Sequence, residues 1–409
     1  MTTLSSTEEQ AALAAADRRS LYGTYAIGLF SMGQAELLTL VVPLWALLQG
    51  ARPSEIGTLV GARSLLTFFL AIHGGALMDR IGTRHVLMFF AAACGTVAAA
   101  YPFLPWFPAM VAMQMLVGLA GNMTWIGAQT MIGEVSHGDP GQIGWFSFYA
   151  RIGNVVTPLL MGIVWDIAGP TVSFLCIACW SATLFVIASQ IHGVRVVERT
   201  APFSWREILP RLSDYTGSLR LLVLPAIALT LAVSFLRHAT NGVEQSFFIV
   251  YLRELGFAAT AIGALFSIAE VLNGFCSLLA GRMAKRFPIP WIMVGLTAAS
   301  AALLMITPLL GGVFALLALA QTMRRGCEGL VQPLMFSMQT RAVGRERQGS
   351  VVGLRVTNNR LSSIITPMAM GVIVEFIGIE KGFITVGATL LLACGVLAIV
   401  TLRTPELRR

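Results

Sequence analysis

Twelve stretches of this chain are apolar for about 20 residues or more, the length a helix needs to cross the hydrocarbon core of a bilayer. They run near 21–49, 54–78, 86–104, 108–132, 142–165, 171–191, 220–252, 259–281, 290–308, 312–336, 349–376 and 382–402, and most joints between them are short. With 56% hydrophobic and only 12% charged residues in 409, the chain is too apolar for a soluble fold of its length and too charge-poor for a disordered one. The sequence therefore reads as an all-α, multi-pass membrane protein.

The formal charge of +8 raises the question of nucleic acid, but no basic block of five or more residues occurs, and only Lys285 and Lys381 are lysines. The excess instead reports topology. With both termini cytoplasmic, inside segments hold Arg18, Arg19, Arg80, Arg84, the arginines of the 192–219 connector, Arg282, Lys285, Arg286, Arg341, Arg345, Arg347 and the C-terminal arginines, against Arg52, Arg253 and Lys381 outside. Residues 1–20 carry Glu8, Glu9, Asp17, Arg18 and Arg19 with no basic stretch leading into an apolar core, so they read as a cytoplasmic segment and not as a signal peptide. All six cysteines fall in apolar runs. Cys176 and Cys179 form a CxxC, but within a helix in lipid they are packing residues, and no metal site is expected.

The two halves echo each other. Offset by about 206 positions, Ser54 to Arg80 aligns without a gap with Thr260 to Arg286, pairing Ile56-Gly57 with Ile262-Gly263 and Gly75 with Gly281. Arg151 to Gly162 in the fifth run matches Arg360 to Gly371 in the eleventh, sharing Arg, Thr, Pro, Met and Gly at identical spacing. Both echoes run in the same direction through the membrane, so the halves are parallel repeats about a pseudo-two-fold axis along the membrane normal. The expected organisation is a cytoplasmic segment 1–20, a six-helix bundle 21–191, a cytoplasmic linker 192–219, a second six-helix bundle 220–402 and a tail 403–409.

Between the second and third runs lies Gly75-Ala76-Leu77-Met78-Asp79-Arg80-Ile81-Gly82-Thr83-Arg84. Twelve helices in two parallel halves, with this turn in place, resemble the major facilitator superfamily, on whose signature Gly75, Asp79, Arg80, Gly82 and Arg84 fall. The resemblance implies a gate in which Asp79 meets the N-terminus of the eleventh helix, where a carboxylate is favoured by the helix dipole. The fifth helix is similar to the antiporter signature at Gly153, Pro158 and Gly162, with Thr157 and Met161 standing where that signature has glycine. It points to the drug:proton antiporter branch and to helices bent at Gly153, Pro158, Gly162 and Pro367. The fourth helix has Gln114 four residues before Gly118 where that branch carries arginine; Arg325 and Gly329 keep the spacing in the tenth.

Charged residues within the spans are Glu36, Arg63, Arg151, Arg237, Glu244, Glu270, Arg324, Arg325, Glu328, Arg355 and Arg360. Insertion of one charge near the bilayer centre costs about 2.5–3.5 kcal/mol, so these side chains should face partners or a wet cavity. None lies in the third, sixth, ninth or twelfth run, which are expected to face lipid. Helical spacing puts Gln321, Arg325, Glu328 and Gln332 on one stripe, as it does Arg237, Asn241 and Glu244; Glu270, Asn273 and Ser277; and Arg355, Asn358, Asn359 and Ser362. Gln114 and Asn122 add polar groups from the fourth helix. The expected substrate surface is thus Arg63, Gln114, Asn122, Arg151, Arg237, Asn241, Glu244, Asn273, Arg325, Glu328, Arg355, Asn359 and Arg360. A carboxylate poised between desolvation and nearby arginine can load and release a proton; Glu36, with the fewest arginine competitors, is the first candidate and Glu270 the second.

The sequence reading is a proton-coupled secondary transporter of the bacterial inner membrane, a monomer exporting small organic molecules by antiport. Organic-anion uptake by symport is the alternative, and a non-transporting membrane sensor a remoter one. Seven internal arginines against four glutamates favour anionic or zwitterionic substrates. No phosphate-binding glycine loop, HExxH site or nucleophile elbow occurs, so neither enzyme activity nor a cofactor is expected.

Overall fold

In a computed structural model, residues 6–135, 140–191, 220–343 and 348–407 are described, while the side chains of 71–77 and 79–81, and with them Gly75, Asp79 and Arg80, lie outside the description. The expected linker 192–219 lies outside it as well.

Twelve helices cross the molecule among the described residues. They are α1 (Ser6–Leu48), α2 (Pro53–Ile81), α3 (Thr83–Ala100), α4 (Phe107–Val135), α5 (140–168), α6 (170–190), α7 (225–254), α8 (Ala259–Ala284), α9 (Ile289–Ile306), α10 (Phe314–Val343), α11 (Gln348–Ile377) and α12 (Ile379–Arg403). Helix α1 begins at Ser6, ahead of the first apolar run, and continues through it. Helices α5 and α6 follow one another without a loop because Gly169, at φ 79°, adopts backbone geometry that a side chain disfavours, and Pro170 starts the next helix with no N–H to satisfy. Gly378, 209 positions on, makes the same joint between α11 and α12 at φ 83°. Helix α7 is interrupted by a π-helical turn over Glu244–Phe248. Such turns arise where a side chain is redirected, often at functional positions.

Several helices are long and apolar enough to cross a membrane; the stretch Trp145–Gln190 has length for two crossings. Outward faces of α3, α6 and α12 expose Phe89, Leu175, Val186, Leu392, Val396 and Ile399, apolar surface of the kind that lipid covers.

The distribution of the core fixes where the halves meet. On the face opposite the chain ends, one apolar cluster spans both bundles, joining Leu37 to Ala46 of α1 and Val243 to Leu252 of α7 with Ile56, Phe174, Phe266 and Phe383. Toward the chain ends the core divides. One cluster belongs wholly to the first bundle, around Tyr25, Leu87, Met131, Phe146 and Leu184, and another wholly to the second, around Val233, Met293, Val331 and Met335. The bundles are therefore sealed together at the far face and packed separately near the ends of the chain.

Candidate functional site

The seal at the far face is built twice from the repeated residues. A Cβ on Gly57 of α2 would lie 2.1 Å from the Pro367 carbonyl oxygen of α11, and one on Gly263 of α8 would lie 2.2 Å from that of Pro158 in α5. A Cβ on Gly371 would meet the Pro53 oxygen at 2.7 Å, and one on Gly162 the Ala259 oxygen at 2.4 Å. Only glycine permits such backbone approaches. The residues expected to bend α5 and α11 thus also form the contact between bundles. Gly153 packs elsewhere, on the Leu29 carbonyl of α1. One further contact is made once: the Asp166 carboxylate accepts from the Ala259 N–H at 3.1 Å and the Thr260 N–H at 2.6 Å, the first N–H groups of α8. At the equivalent start of α2 stands Pro53, which has no N–H to offer.

Below this seal, a cavity of about 310 Å³ lies between the bundles. Helices α1, α2 and α4 line it from one side, α7 and α11 from the other, and among the expected residues Glu36, Arg63, Asn122, Asn241 and Arg360 reach it. Gly118 makes room on α4, since a Cβ there would lie 1.8 Å from the Arg63 carbonyl oxygen. The Arg63 guanidinium donates to Thr39 Oγ1 at 2.7 Å and to the Ala35 carbonyl at 2.9 Å, both uncharged acceptors. Asn122 donates to Thr67 Oγ1 and the Gly118 carbonyl, which turns its own oxygen towards Arg360, whose Nη2 donates to it across the bundles. Arg360 Nε is buried without a hydrogen-bond partner. Glu36 makes no hydrogen bond or ion pair among the described residues; the charges that act on it are those of Glu270, Arg325 and Arg63. His238, on the same wall, places Nδ1 2.9 Å from the Ser234 carbonyl, so this nitrogen carries the proton.

Behind the α7 wall the remaining acids and arginines have found each other. Arg324 pairs with Glu244 and, at 2.9 Å, with Glu328; Arg325 reaches Glu244 at 3.0 Å, Glu270 at 3.2 Å and Glu328 at 3.4 Å. All five are buried, between 0% and 7% exposed. Gln321 bridges Glu244 and Arg324, Asn273 donates to Glu270, and the Asn241 amide, oriented to donate, meets both Glu328 oxygens at 2.7 and 2.9 Å. Arg237 adds its positive charge beside Glu328, with its Nε buried and unpartnered. Asn241 is the one residue of this group that also touches the cavity.

Other expected residues are placed apart from the cavity. Gln114 is buried beyond Arg63, at a small void near Thr39 and Gln245. Arg151 is exposed and lies over Gly274 of α8. Arg355 stacks 4.0 Å above the Phe336 ring and donates to Gln339, and Asn359 accepts from Ser234 to join α11 to α7. Of the signature turn, Gly82 ends α2 at φ 93°, and Arg84 donates to the Ser189 carbonyl near the end of α6, satisfying an orphan acceptor there. The meeting of Asp79 with α11 falls outside the described side chains. Sequence reasoning missed Thr39, His238, Gln245 and Asp166. The matching offset of Glu375 from Asp166 was a usable signal for the last, whereas the other three are ordinary helix residues until the cavity exists.

A family model described as "Major Facilitator Superfamily" matches residues 24–236 and again 230–409. Among solved structures, the chain is similar to a point mutant of the nucleoside transporter NupG (14% identity, 93% of this chain and 98% of that one, TM-score 0.77). It is also similar to a bacterial homolog of the human lysosomal transporter Spinster, inward-facing and unoccupied (14%, 94% and 96%, TM-score 0.72). A third is a POT family transporter in complex with 5-aminolevulinic acid (15%, 96% and 97%, TM-score 0.73). At these identities the likeness establishes the shared fold.

Proposed function

Since the chain belongs to the major facilitator superfamily, and so is a multi-pass membrane transporter and not an enzyme, we propose that it moves small organic molecules by proton-coupled alternating access, with Glu36 as the proton-carrying group. The observation that carries this reading is a carboxylate at the wall of a cavity between two bundles, left without an ion pair while Glu244, Glu270 and Glu328 share Arg324 and Arg325. A carboxylate free of a guanidinium can exchange a proton without breaking a buried pair, whereas Glu270, the second candidate, would have to release Arg325 first. The positive-inside charge pattern makes the chain ends cytoplasmic, so the seal at the far face and the divided core below it describe an inward-facing state. Rocking about the seal would expose the cavity to the other side.

Export by antiport is the direction favoured by the likeness of α5 to the antiporter signature. Uptake by symport is the second reading, and the uncompensated arginines of the cavity favour it. Glu36→Gln in proteoliposomes tests the proton role: transport driven by a pH gradient is expected to fall to background while substrate exchange without a gradient persists. Wild-type proton-driven flux in this variant would remove Glu36 from the mechanism.

A further inference from the structure

Charges inside the bundles group by position. Arg151 is exposed on α5, and Arg355 is engaged with Phe336 and Gln339. Around the cavity and the network behind it stand Arg63, Arg237, Arg324, Arg325 and Arg360 against Glu36, Glu244, Glu270 and Glu328, five against four. Counting Arg355, whose partners Phe336 and Gln339 are uncharged and which lies near Arg237, the surplus is two positive charges. It is not spread evenly, because the carboxylates in the network take Arg324 and Arg325 directly and Glu328 faces Arg237.

At the cavity itself are Arg63 and Arg360, close enough for their charges to repel. Neither forms an ion pair with a carboxylate among the described residues; their acceptors are a hydroxyl, a backbone carbonyl and an amide oxygen. Two half-buried guanidiniums on the lining of one cavity, one with a buried Nε that has no partner, form a site that an anion completes. Guanidinium forks match the two oxygens of a carboxylate. The Arg360 bond to Asn122 is the kind of neutral contact that an incoming anion displaces.

We propose that the cavity binds a small organic monoanion, its carboxylate held between Arg63 of the first bundle and Arg360 of the second, and that this anion and a proton on Glu36 favour each other's binding. The proposal rests on the second reading above, uptake by symport, and names its substrate class. On the cavity lining itself Arg63 and Arg360 face the one acid Glu36, and one carboxylate cancels that local surplus. Protonating Glu36 removes the negative charge of the cavity wall and makes the surroundings of the anion more positive, so the two binding events are positively linked and the anion binds more tightly as pH falls. The other charged or titratable groups on the cavity are Arg63 and Arg360, which form the anion site, and His238, whose Nδ1 donates to the Ser234 carbonyl, while Glu270 and Arg325 act on Glu36 from the network and hold each other. Positive linkage is what symport requires. The size of the cavity, near the lower end of the ~300–1,000 Å³ range of small-molecule sites, limits the ligand to a compact compound.

The test is equilibrium binding to the purified full-length protein, read as thermal stabilisation and by calorimetry. The panel comprises size-matched aromatic and aliphatic monocarboxylates, amino acids as zwitterions and primary ammonium compounds as cations. Monocarboxylates are expected to stabilise the protein best, and Arg360→Gln and Arg63→Gln to weaken their binding by about tenfold or more, with Arg360→Lys recovering part of the loss. Glu36→Gln is expected to tighten carboxylate binding and abolish its pH dependence. The sign decides between charge classes, since a zwitterion whose ammonium rests on Glu36 would bind this variant more weakly. Preference for zwitterions or cations, weaker carboxylate binding to Glu36→Gln, or no stabilisation by any carboxylate would overturn the proposal. Because binding is measured without a gradient, these results are separate from the flux experiment on Glu36.

Discussion

Asp166 joins the two bundles through a single side chain. Its two oxygens take the first two N–H groups of α8, which have no acceptor within their own helix. A carboxylate so placed contributes about 0.3–1 kcal/mol, towards the lower figure here because Asp166 is exposed. Because the contact joins α5 to α8 at the sealed far face, Asp166→Asn is expected to raise the population open to that face by a few-fold at most without lowering stability. Reactivity of a cysteine placed in the cavity at Ser64 towards an impermeant reagent applied from that face measures the change. An unaltered rate would leave Asp166 as a cap of α8 alone. The same scale explains why Glu36 differs from Glu270: both are acids in spans, but only one lies within 3.2 Å of a guanidinium.

For pairs of helices the controlling residues are glycines. Gly57 and Gly263 occupy equivalent places in the repeat and each rests on the carbonyl of an equivalent proline, Pro367 and Pro158. An added methyl at about 2 Å from a backbone oxygen cannot be absorbed by a rotamer change, so α2 and α11, or α5 and α8, must separate. Overpacking of this kind costs about 1–3 kcal/mol, which corresponds to about a 5–150-fold shift between two conformations. Gly263→Ala and Gly57→Ala are each expected to favour opening of the far face, measurable as lengthened distances between spin labels at the far ends of α5 and α8. Gly295→Ala, where a Cβ would meet nothing within 4 Å, serves as the control. Labels that report no change in Gly263→Ala would mean that the seal yields elsewhere. Helix α7 uses a different device. Its π-helical turn begins at Glu244 and directs that acid into the network behind the cavity.

Across the whole molecule, two bundles share one apolar core at the far face and hold separate cores near the chain ends. Orientation of this asymmetry in the membrane rests on the arginine distribution. In a background without native cysteines, single cysteines at Arg84, Ser204 and Arg345 are expected to react with an impermeant thiol reagent only from the cytoplasmic side. Labelling of any of them from outside intact cells would reverse the inward-facing assignment. The bundles are also held internally by different chemistry. The first is joined by uncharged bonds, Gln34 to Ser181 and Thr124 to Gln34, and the second by the ion network on α10. Glu36 therefore sits opposite a half whose three glutamates are already paired with arginines but whose Arg360 is not paired with a carboxylate.

Membrane insertion, twelve helices and the doubling of the chain were all legible in the sequence, because a helix in lipid must be apolar over a length set by the bilayer and because a duplicated unit keeps its glycines and prolines at fixed spacing. Gly57, Gly263, Pro158 and Pro367 stood out as repeats before their contact could be seen. What periodicity could not give was the partner of each buried charge. Arg237, Arg324, Arg325 and Arg360 are all arginines within apolar spans, yet three lie with the network behind α7 and of these four only Arg360 opens on the cavity. A stripe specifies which face of a helix is polar, but whether that face meets a carboxylate, an aromatic ring or empty space depends on the rotation and depth of the neighbouring helix. In a low-dielectric interior that choice separates a structural ion pair from a binding site, and it is made only when the two bundles pack.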